Sequence, residues 1–242
     1  MTDVLSNPTR RSLLAGIGAL TLAPGIVLMA PQPADAAATS GKRWGLLIDT
    51  TKCDAGCNAC VQACGAEHGW SDPTHGRPDQ APKWVRKVDV KDPASGKTAS
   101  LPVMCQHCAK PPCVDVCPTG ASFKRADGIV LVDRHICIGC RYCMMACPFK
   151  ARSFVHEDIA NQRPGTPRGN GTVEACNLCV TRVDAGKLPV CVDACAGAGK
   201  GAILFGDLND PNSAIAKRVR EVAPARLRAD LRLDTGVHYQ GL

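Results

Sequence analysis

Phe, Trp and Tyr together make up only 4% of this 242-residue chain. Aromatic side chains carry much of an ordinary core's burial, so a supply this thin calls for another source of stability. There is no Cys-x2-Cys-His run, which excludes a c-type haem attached to this chain. His68, His75, His135, His156 and His238 form no spaced metal motif. Beyond an apolar stretch at residues 13–30 no second long hydrophobic run follows, so the body of the chain is expected to be peripheral to a membrane, not integral. No basic run is interleaved with aromatics, which argues against a nucleic-acid face despite a formal charge of +7.

Cysteine is what the chain has in excess. Sixteen of them fall into four groups of four. The first is Cys53-x3-Cys57-x2-Cys60-x3-Cys64 and the second Cys105-x2-Cys108-x4-Cys113-x3-Cys117. The third is Cys137-x2-Cys140-x2-Cys143-x3-Cys147, and the fourth is stretched, Cys176-x2-Cys179-x11-Cys191-x3-Cys195. The third group followed by Pro148 is the run with which bacterial ferredoxins hold [4Fe–4S] clusters. Three thiolates on a tight loop cap three corners of one cube, while the fourth, one helical turn on, points away to a different cluster. Pro118 and Pro148 end those turns. Structural zinc also uses Cys-x2-Cys pairs but does not ask for the trailing x3 cysteine in every group. Disulfides are the other reading, favoured by an oxidising compartment.

The compartment is addressed by the N-terminus. Thr9-Arg10-Arg11-Ser12-Leu13-Leu14 reads as a twin-arginine signal ahead of the apolar stretch, which Gly16, Gly18, Pro24 and Gly25 make a poor membrane helix. Ala34-Asp35-Ala36 offers a cleavage site, and Ala36-Ala37-Ala38 another. Twin-arginine export carries folded proteins, so clusters inserted in the reducing cytoplasm leave no thiols free to pair outside. The expected domains are a signal peptide at 1–36 and a cluster domain at 37–242, destined for the periplasmic face of the cytoplasmic membrane. Each oxidised cluster with its four thiolates carries about −2, so four bring about −8 and leave the holoprotein near −1.

Between the cysteine groups the pattern is short turns and hairpins. Residues 121–124 and 129–132 flank Asp127-Gly128, and residues 84–90 and 98–104 flank Pro93-Ala94-Ser95-Gly96, each a hairpin signal. Residues 44–49 read as the opening strand, in which Trp44, like Trp84 later, is a packing residue. Lys110-Pro111-Pro112 reads as a rigid turn before Cys113, and residues 161–171 as a Pro- and Gly-rich loop. Asn209-Asp210-Pro211 is expected to open a helix running to about Val222 and stopping before Pro224. The tail at 225–242 is basic without a clear period, leaving a partner clamp, a solvated tail and a self-packed one all open.

Four cysteine groups with a long insertion in the last, together with Cys117-Pro118-Thr119-Gly120-Ala121 and Phe205-Gly206-Asp207, resemble the four-cluster electron-transfer subunits. These accompany molybdopterin oxidoreductases, some hydrogenases and quinone-interacting membrane complexes, and the resemblance covers residues 42–242. It implies an α+β fold of two fused bacterial-ferredoxin-like units with β-hairpin insertions: an outer half at about 42–104 plus 172–242, and an inner half at about 105–160. It further implies crossed ligation. One cluster takes Cys53, Cys57, Cys60 and Cys195; a second Cys176, Cys179, Cys191 and Cys64. A third takes Cys105, Cys108, Cys113 and Cys147; a fourth Cys137, Cys140, Cys143 and Cys117. Cys64 and Cys195 are followed by Gly65 and Ala196 where the pattern has proline. Residues 42–49, 104–108 and 121–154 are similar to the periplasmic iron–sulfur subunits of Dsr-type complexes of dissimilatory sulfur metabolism. That likeness implies a quinone-interacting integral membrane subunit and a periplasmic multihaem cytochrome c as partners. The electron-transfer (beta) component of a periplasmic molybdopterin reductase (polysulfide, tetrathionate or nitrite type) or of a hydrogenase is the alternative.

With all sixteen cysteines consumed as ligands no open iron is left, and no acid–base pair marks a substrate pocket. The expectation is an electron-transfer subunit that is not catalytic by itself. His107, beside Cys108, is either a donor to a cluster sulfur or a surface or loop-packing histidine. Because metal binding contributes folding free energy directly, iron-free protein is expected to be largely unfolded. Anaerobic chelation followed by an amide NMR spectrum tests this; well-dispersed signals would contradict it.

Overall fold

Strand Trp44–Asp49 (β3) is apolar on both faces, Leu46, Leu47 and Ile48 all being buried, as a central strand requires. The computed structural model describes residues 41–70, 77–159, 162–163 and 166–242, together with the backbone of two short strands, Leu20–Ala23 (β1) and Ile26–Leu28 (β2). Contacts divide the chain into Met1–Ala37 and Ala38–Leu242. In the first unit β1 and β2 pair antiparallel. The twin-arginine motif and both cleavage sites lie outside the described residues. Among the described residues no helix is long and apolar enough to cross a membrane.

In the second unit, helix Ala59–His68 (α1) carries Cys60 and Cys64 of the first cysteine group and ends at Gly69 in the left-handed conformation (φ 68°). Val85–Lys91 (β4) and Thr98–Met104 (β5) form the expected hairpin, paired from Val85↔Met104 to Lys91↔Thr98. Its turn is held by the Asp92 carboxylate, which accepts from Ala94 N (2.9 Å) and Ser95 N (3.3 Å). The single helical turn Pro112–Asp115 (α2) carries Cys113 of the second group. Hairpin Ser122–Lys124 (β6) and Val130–Val132 (β7) turns through Gly128 at φ 87°. Tyr142–Ala146 (α3) carries Cys143, and Arg152–Phe154 (β8) pairs with Val173–Ala175 (β9). Val180–Asp184 (α4) and Val190–Gly197 (α5) follow, then Ile203–Asp207 (β10), Ala214–Val222 (α6) and Val237–Gln240 (β11).

Two helix pairings organise the cysteine groups: α1 packs on α5, joining the first group to the fourth, and α2 packs on α3, joining the second to the third. Strand β3 lies between β10, antiparallel, and β11, parallel. Gly45 faces Gly206 across the β3–β10 pair, and a Cβ at Gly45 would run into Leu208 and the Gly236 carbonyl. Cysteine thiols make up about a third of the core, with Trp70, Trp84, Phe149 and Tyr239 as its buried aromatic members. Trp84 stacks on His68 (4.6 Å between ring centres) and Trp44 on Phe205 (5.1 Å), so both pack as expected.

Three expectations are corrected or resolved. The late helix starts at Ala214, not at Pro211: Ser213 is the cap, its hydroxyl accepting from Ala216 N (3.1 Å), while Asp210 holds a local turn through Asn212 N (2.8 Å). Pro111 and Pro112 do not merely turn the chain before Cys113. Pro111 is the N-cap and Pro112 the first helical residue of α2, where a missing N–H costs nothing. The tail packs on its own molecule: β11 adds to β3, and Ala225 and Tyr239 exchange backbone hydrogen bonds at 2.8 Å.

Tyr239 locks that tail. It is fully buried, donates to the Pro102 carbonyl (3.1 Å) and accepts from Gln106 Nε2 (3.3 Å). Tyr239→Ala is expected to cost about 3–5 kcal/mol, the loss of a buried aromatic ring, and Tyr239→Phe about 1 kcal/mol. Thermal midpoints of the holoprotein at a fixed scan rate measure both; equal, negligible losses would show that the strand does not hold the sheet.

Candidate metal centres

All sixteen cysteines are free thiols. Cys105, Cys108, Cys113 and Cys147 line one cavity, and Cys117, Cys137, Cys140 and Cys143 line another. In the outer part the groups are identified by which thiols act on one another. Burial raises the Cys60 thiol to about 11, and among its neighbours Cys53 and Cys195 push it the same way. Burial likewise drives Cys191 well up, reinforced by Cys179, Cys64 and Cys60. Cys176 is raised by burial and then by Cys64, Cys191 and Cys179.

The same neighbourhoods put the sets in a row. Cys60 adjoins Cys64 and Cys191. Cys176 adjoins Cys105, and Cys113 adjoins Cys143. Exposure follows the row. Cys64, Cys176, Cys179, Cys191, Cys105, Cys108, Cys113 and Cys147 are all buried. Cys53 and Cys57 at one end are partly exposed, as are Cys117 and Cys137 at the other, where Cys140 is exposed outright.

Local backbone conformation fits these sites to an anionic cluster. In each Cys-x2-Cys loop that begins the last three groups, the residue before the second cysteine is left-handed: His107 (φ 43°), Gly139 (φ 68°) and Leu178 (φ 54°). A left-handed residue after a right-handed or extended one turns successive N–H groups to the same side, a concavity that binds anions and recurs at iron–sulfur sites. Cys179 N donates to the Asn177 side chain (2.9 Å), closing one of these loops. At Gly139 the geometry also demands the absence of a side chain, since a Cβ would overlap the Gly171 carbonyl and crowd Phe154.

Hydrogen-bond donors are placed on the sulfurs themselves. Backbone N–H groups of Ser122 and Ala202 reach Cys117 Sγ (3.3 Å) and Cys195 Sγ (3.2 Å). Trp70 Nε1 donates to Cys64 Sγ (3.3 Å), Lys87 Nζ to Cys53 Sγ (3.5 Å) and Arg152 Nη2 to Cys113 Sγ (3.1 Å). His68 Nε2 lies 3.2 Å from Cys179 Sγ, with its Nδ1 on Thr166 Oγ1 (3.3 Å). Burial, helped by Arg134 and Arg182, pushes His68 down to about 4, so its ring is neutral at physiological pH. Such contacts to ligand sulfur are the means by which a protein adjusts cluster potential.

None of these four side chains stands out in the sequence as a donor to sulfur. His68 and Arg152 meet thiols 111 and 39 residues away, which no local pattern records. Trp70 is findable in principle, since it stands six residues beyond Cys64 at the end of α1. His107 is buried, not at the surface; its Nδ1 accepts from Val130 N (3.1 Å), which leaves the proton on Nε2, a buried atom with no hydrogen-bond partner in the protein.

Without iron, burial pushes Cys64, Cys105 and Cys108 up to about 12. At neutral pH these are protonated thiols, and metal must displace their protons. Among the described residues no three or more His, Cys, Asp or Glu side chains converge on a point that would take a single ion. The thiols of the second and third groups instead line two small cavities, four to each, and four sulfurs are what one cubane cluster takes.

Comparison with known proteins agrees with this chemistry. Residues 97–207 match the family described as a 4Fe–4S dicluster domain. The chain is 40% identical to the Hdr-like menaquinol oxidoreductase iron–sulfur subunit 1 of Archaeoglobus fulgidus, over 83% of this chain and 84% of that protein. It is 34% identical to a subunit of the tetrathionate reductase of Salmonella typhimurium (91% and 82%) and 37% identical to a subunit of the sulfite dehydrogenase of Allochromatium vinosum (80% and 81%). The cofactors are four [4Fe–4S] clusters, one for every four of the sixteen cysteines.

Gly139→Ala is expected to cost one cluster, so that iron per protein falls by about a quarter. Gly56→Ala, where an added Cβ meets nothing within 4 Å, is the control and keeps its iron. Iron and sulfide analysis of both variants, purified anaerobically, decides; full iron in Gly139→Ala would refute the steric argument.

Proposed function

The chain belongs to the ferredoxin-type iron–sulfur subunits of oxidoreductase complexes, and from that premise we propose that it is a linear relay for single electrons between two redox partners. Each cluster, when bound, takes up and gives back one electron. The observation that carries the reading is the row of thiol sets, buried in its middle and exposed at both ends. An interior shielded from water keeps electrons from side reactions, and open ends let partners approach. Around Cys140 the apolar side chains of Ile138, Tyr142 and Met145 are all exposed, with Arg141 among them, which suits a docking face.

The proposed ligand sets follow the crossed pattern. Cys53, Cys57 and Cys60 act with Cys195, and Cys176, Cys179 and Cys191 with Cys64. Cys105, Cys108 and Cys113 act with Cys147, and Cys137, Cys140 and Cys143 with Cys117. The pairing of α1 with α5 and of α2 with α3 supports this, and with it a body of two fused ferredoxin-like units. The chain's own work is then to space the sites, exclude water and set potentials through Lys87, Trp70, His68 and Arg152. No catalytic step is assigned to it.

The finer reading is a subunit exported by the twin-arginine route to the periplasmic face. There it serves a quinone-interacting membrane subunit and a multihaem cytochrome c in dissimilatory sulfur metabolism. Kinship with a menaquinol oxidoreductase subunit and a sulfite dehydrogenase subunit supports it. Kinship with a tetrathionate reductase subunit favours a second reading, the electron-transfer component of a periplasmic molybdopterin reductase.

Tagging the chain and purifying it from gently solubilised membranes separates the two. A quinone-binding subunit with c-type haem is expected; a molybdopterin subunit would discard the first partner assignment and keep the relay. The relay is tested by Cys140→Ser, which is expected to alter the EPR signal of one terminal cluster and slow electron delivery through the complex. Delivery at an unchanged rate would mean that the sites do not act in series.

A further inference from the structure

Arg152 is a buried cation with an unusual set of partners. It lies at the head of β8, 6% exposed, and lines the cavity formed by Cys105, Cys108, Cys113 and Cys147. Its hydrogen bonds go to Cys113 Sγ (3.1 Å, from Nη2) and to Ser122 Oγ (2.6 Å, from Nη1). The other deeply buried arginines that hold ion pairs, Arg125 and Arg168, reach carboxylates at 2.8 to 2.9 Å. The guanidinium keeps its charge in proteins, and Cys113, Cys105 and Cys143 all lie close enough to act on it. Those thiols belong to two different sets.

Ser122 extends the contact to the second set. While its hydroxyl accepts from Arg152, its backbone N–H donates to Cys117 Sγ (3.3 Å). A continuous hydrogen-bonded path therefore runs from Cys113 through Arg152 and Ser122 to Cys117. Removing a guanidinium from water costs several kcal/mol unless opposite charge is close. Sulfur ligands of two clusters supply that charge.

We infer that Arg152 is a shared electrostatic bridge between the two clusters held by the second and third cysteine groups, raising the reduction potential of both. The inference rests on the ligand sets proposed above. Adding one electron takes each cluster with its thiolates from about −2 to about −3. A fixed positive charge between them favours the more negative state of either one. Its attraction for one cluster is not diminished by reduction of the other; the negative charge gained by the first acts directly on the second and lowers its potential.

The test is an EPR-monitored redox titration of anaerobically purified holoprotein, wild type against Arg152→Gln. Two of the four clusters are expected to shift to lower potential while the other two stay in place. Four intact clusters with unmoved potentials would overturn the bridge alone. All four shifting together would also overturn it, as a general loosening of the fold. A wild-type protein holding fewer than four clusters by iron and sulfide analysis would overturn the ligand sets themselves, and the bridge with them. Arg152→Lys keeps the charge but not the fork that reaches both Cys113 and Ser122, and the same two clusters are expected to shift the same way by less. If Arg152→Gln loses iron, unmoved potentials in Arg152→Lys overturn the proposal and leave Arg152 a packing residue.

Discussion

Everything in this protein follows from burying about eight units of negative charge, in four clusters, inside a body of some 200 residues. Iron–thiolate bonds hold the clusters, but bonds alone do not make burial tolerable. Left-handed turns at His107, Gly139 and Leu178 bring N–H dipoles round the sites. Lys87 and Arg152 bring full charges, and His68 and Trp70 neutral donors. Part of the excess of Lys and Arg in the bare sequence is thus an internal counterweight. Its distribution is uneven, with full cationic partners on sulfurs of two sets and neutral ones on a third.

The scarcity of aromatics has the same origin. Where an ordinary domain would interdigitate rings, this one has thiols lining voids that the clusters fill. The few rings present are spent at joints. Trp84 stacks on His68 and so braces the donor to Cys179, and Tyr239 pins the last strand against Pro102 and Gln106. Packing and electronic adjustment are therefore the same contacts, and a change made for one reason will be felt in the other.

Much of this is legible in the sequence, because cysteine spacing and hairpin turns are local signals. The strand at Trp44–Asp49 and both hairpins lie within a residue or two of where alternation and turn residues put them. The start of α6 is ambiguous in sequence because four cap-forming residues, Asn209, Asp210, Asn212 and Ser213, stand within five positions, and only the folded geometry selects the last. Strand β11 is four residues long, too short for a period to register. The sulfur donors His68 and Arg152 are invisible there for a plainer reason: their partners are brought to them by the tertiary fold.

The outer part of the molecule is closed by pieces from far apart in the chain. Helix α1 meets α5, and β3 is flanked by β10 and β11, whereas the second and third cysteine groups are sequence neighbours. Synthesis therefore completes the inner part first. At ribosomal speeds of about 5–20 residues per second, the thiols at 53–64 wait on the order of ten seconds for those at 191–195 to emerge. Throughout that interval they are unmatched. The order of biogenesis is written into the topology: the middle of the chain can receive its metal while the flanks are still open, and the flanks can only close last.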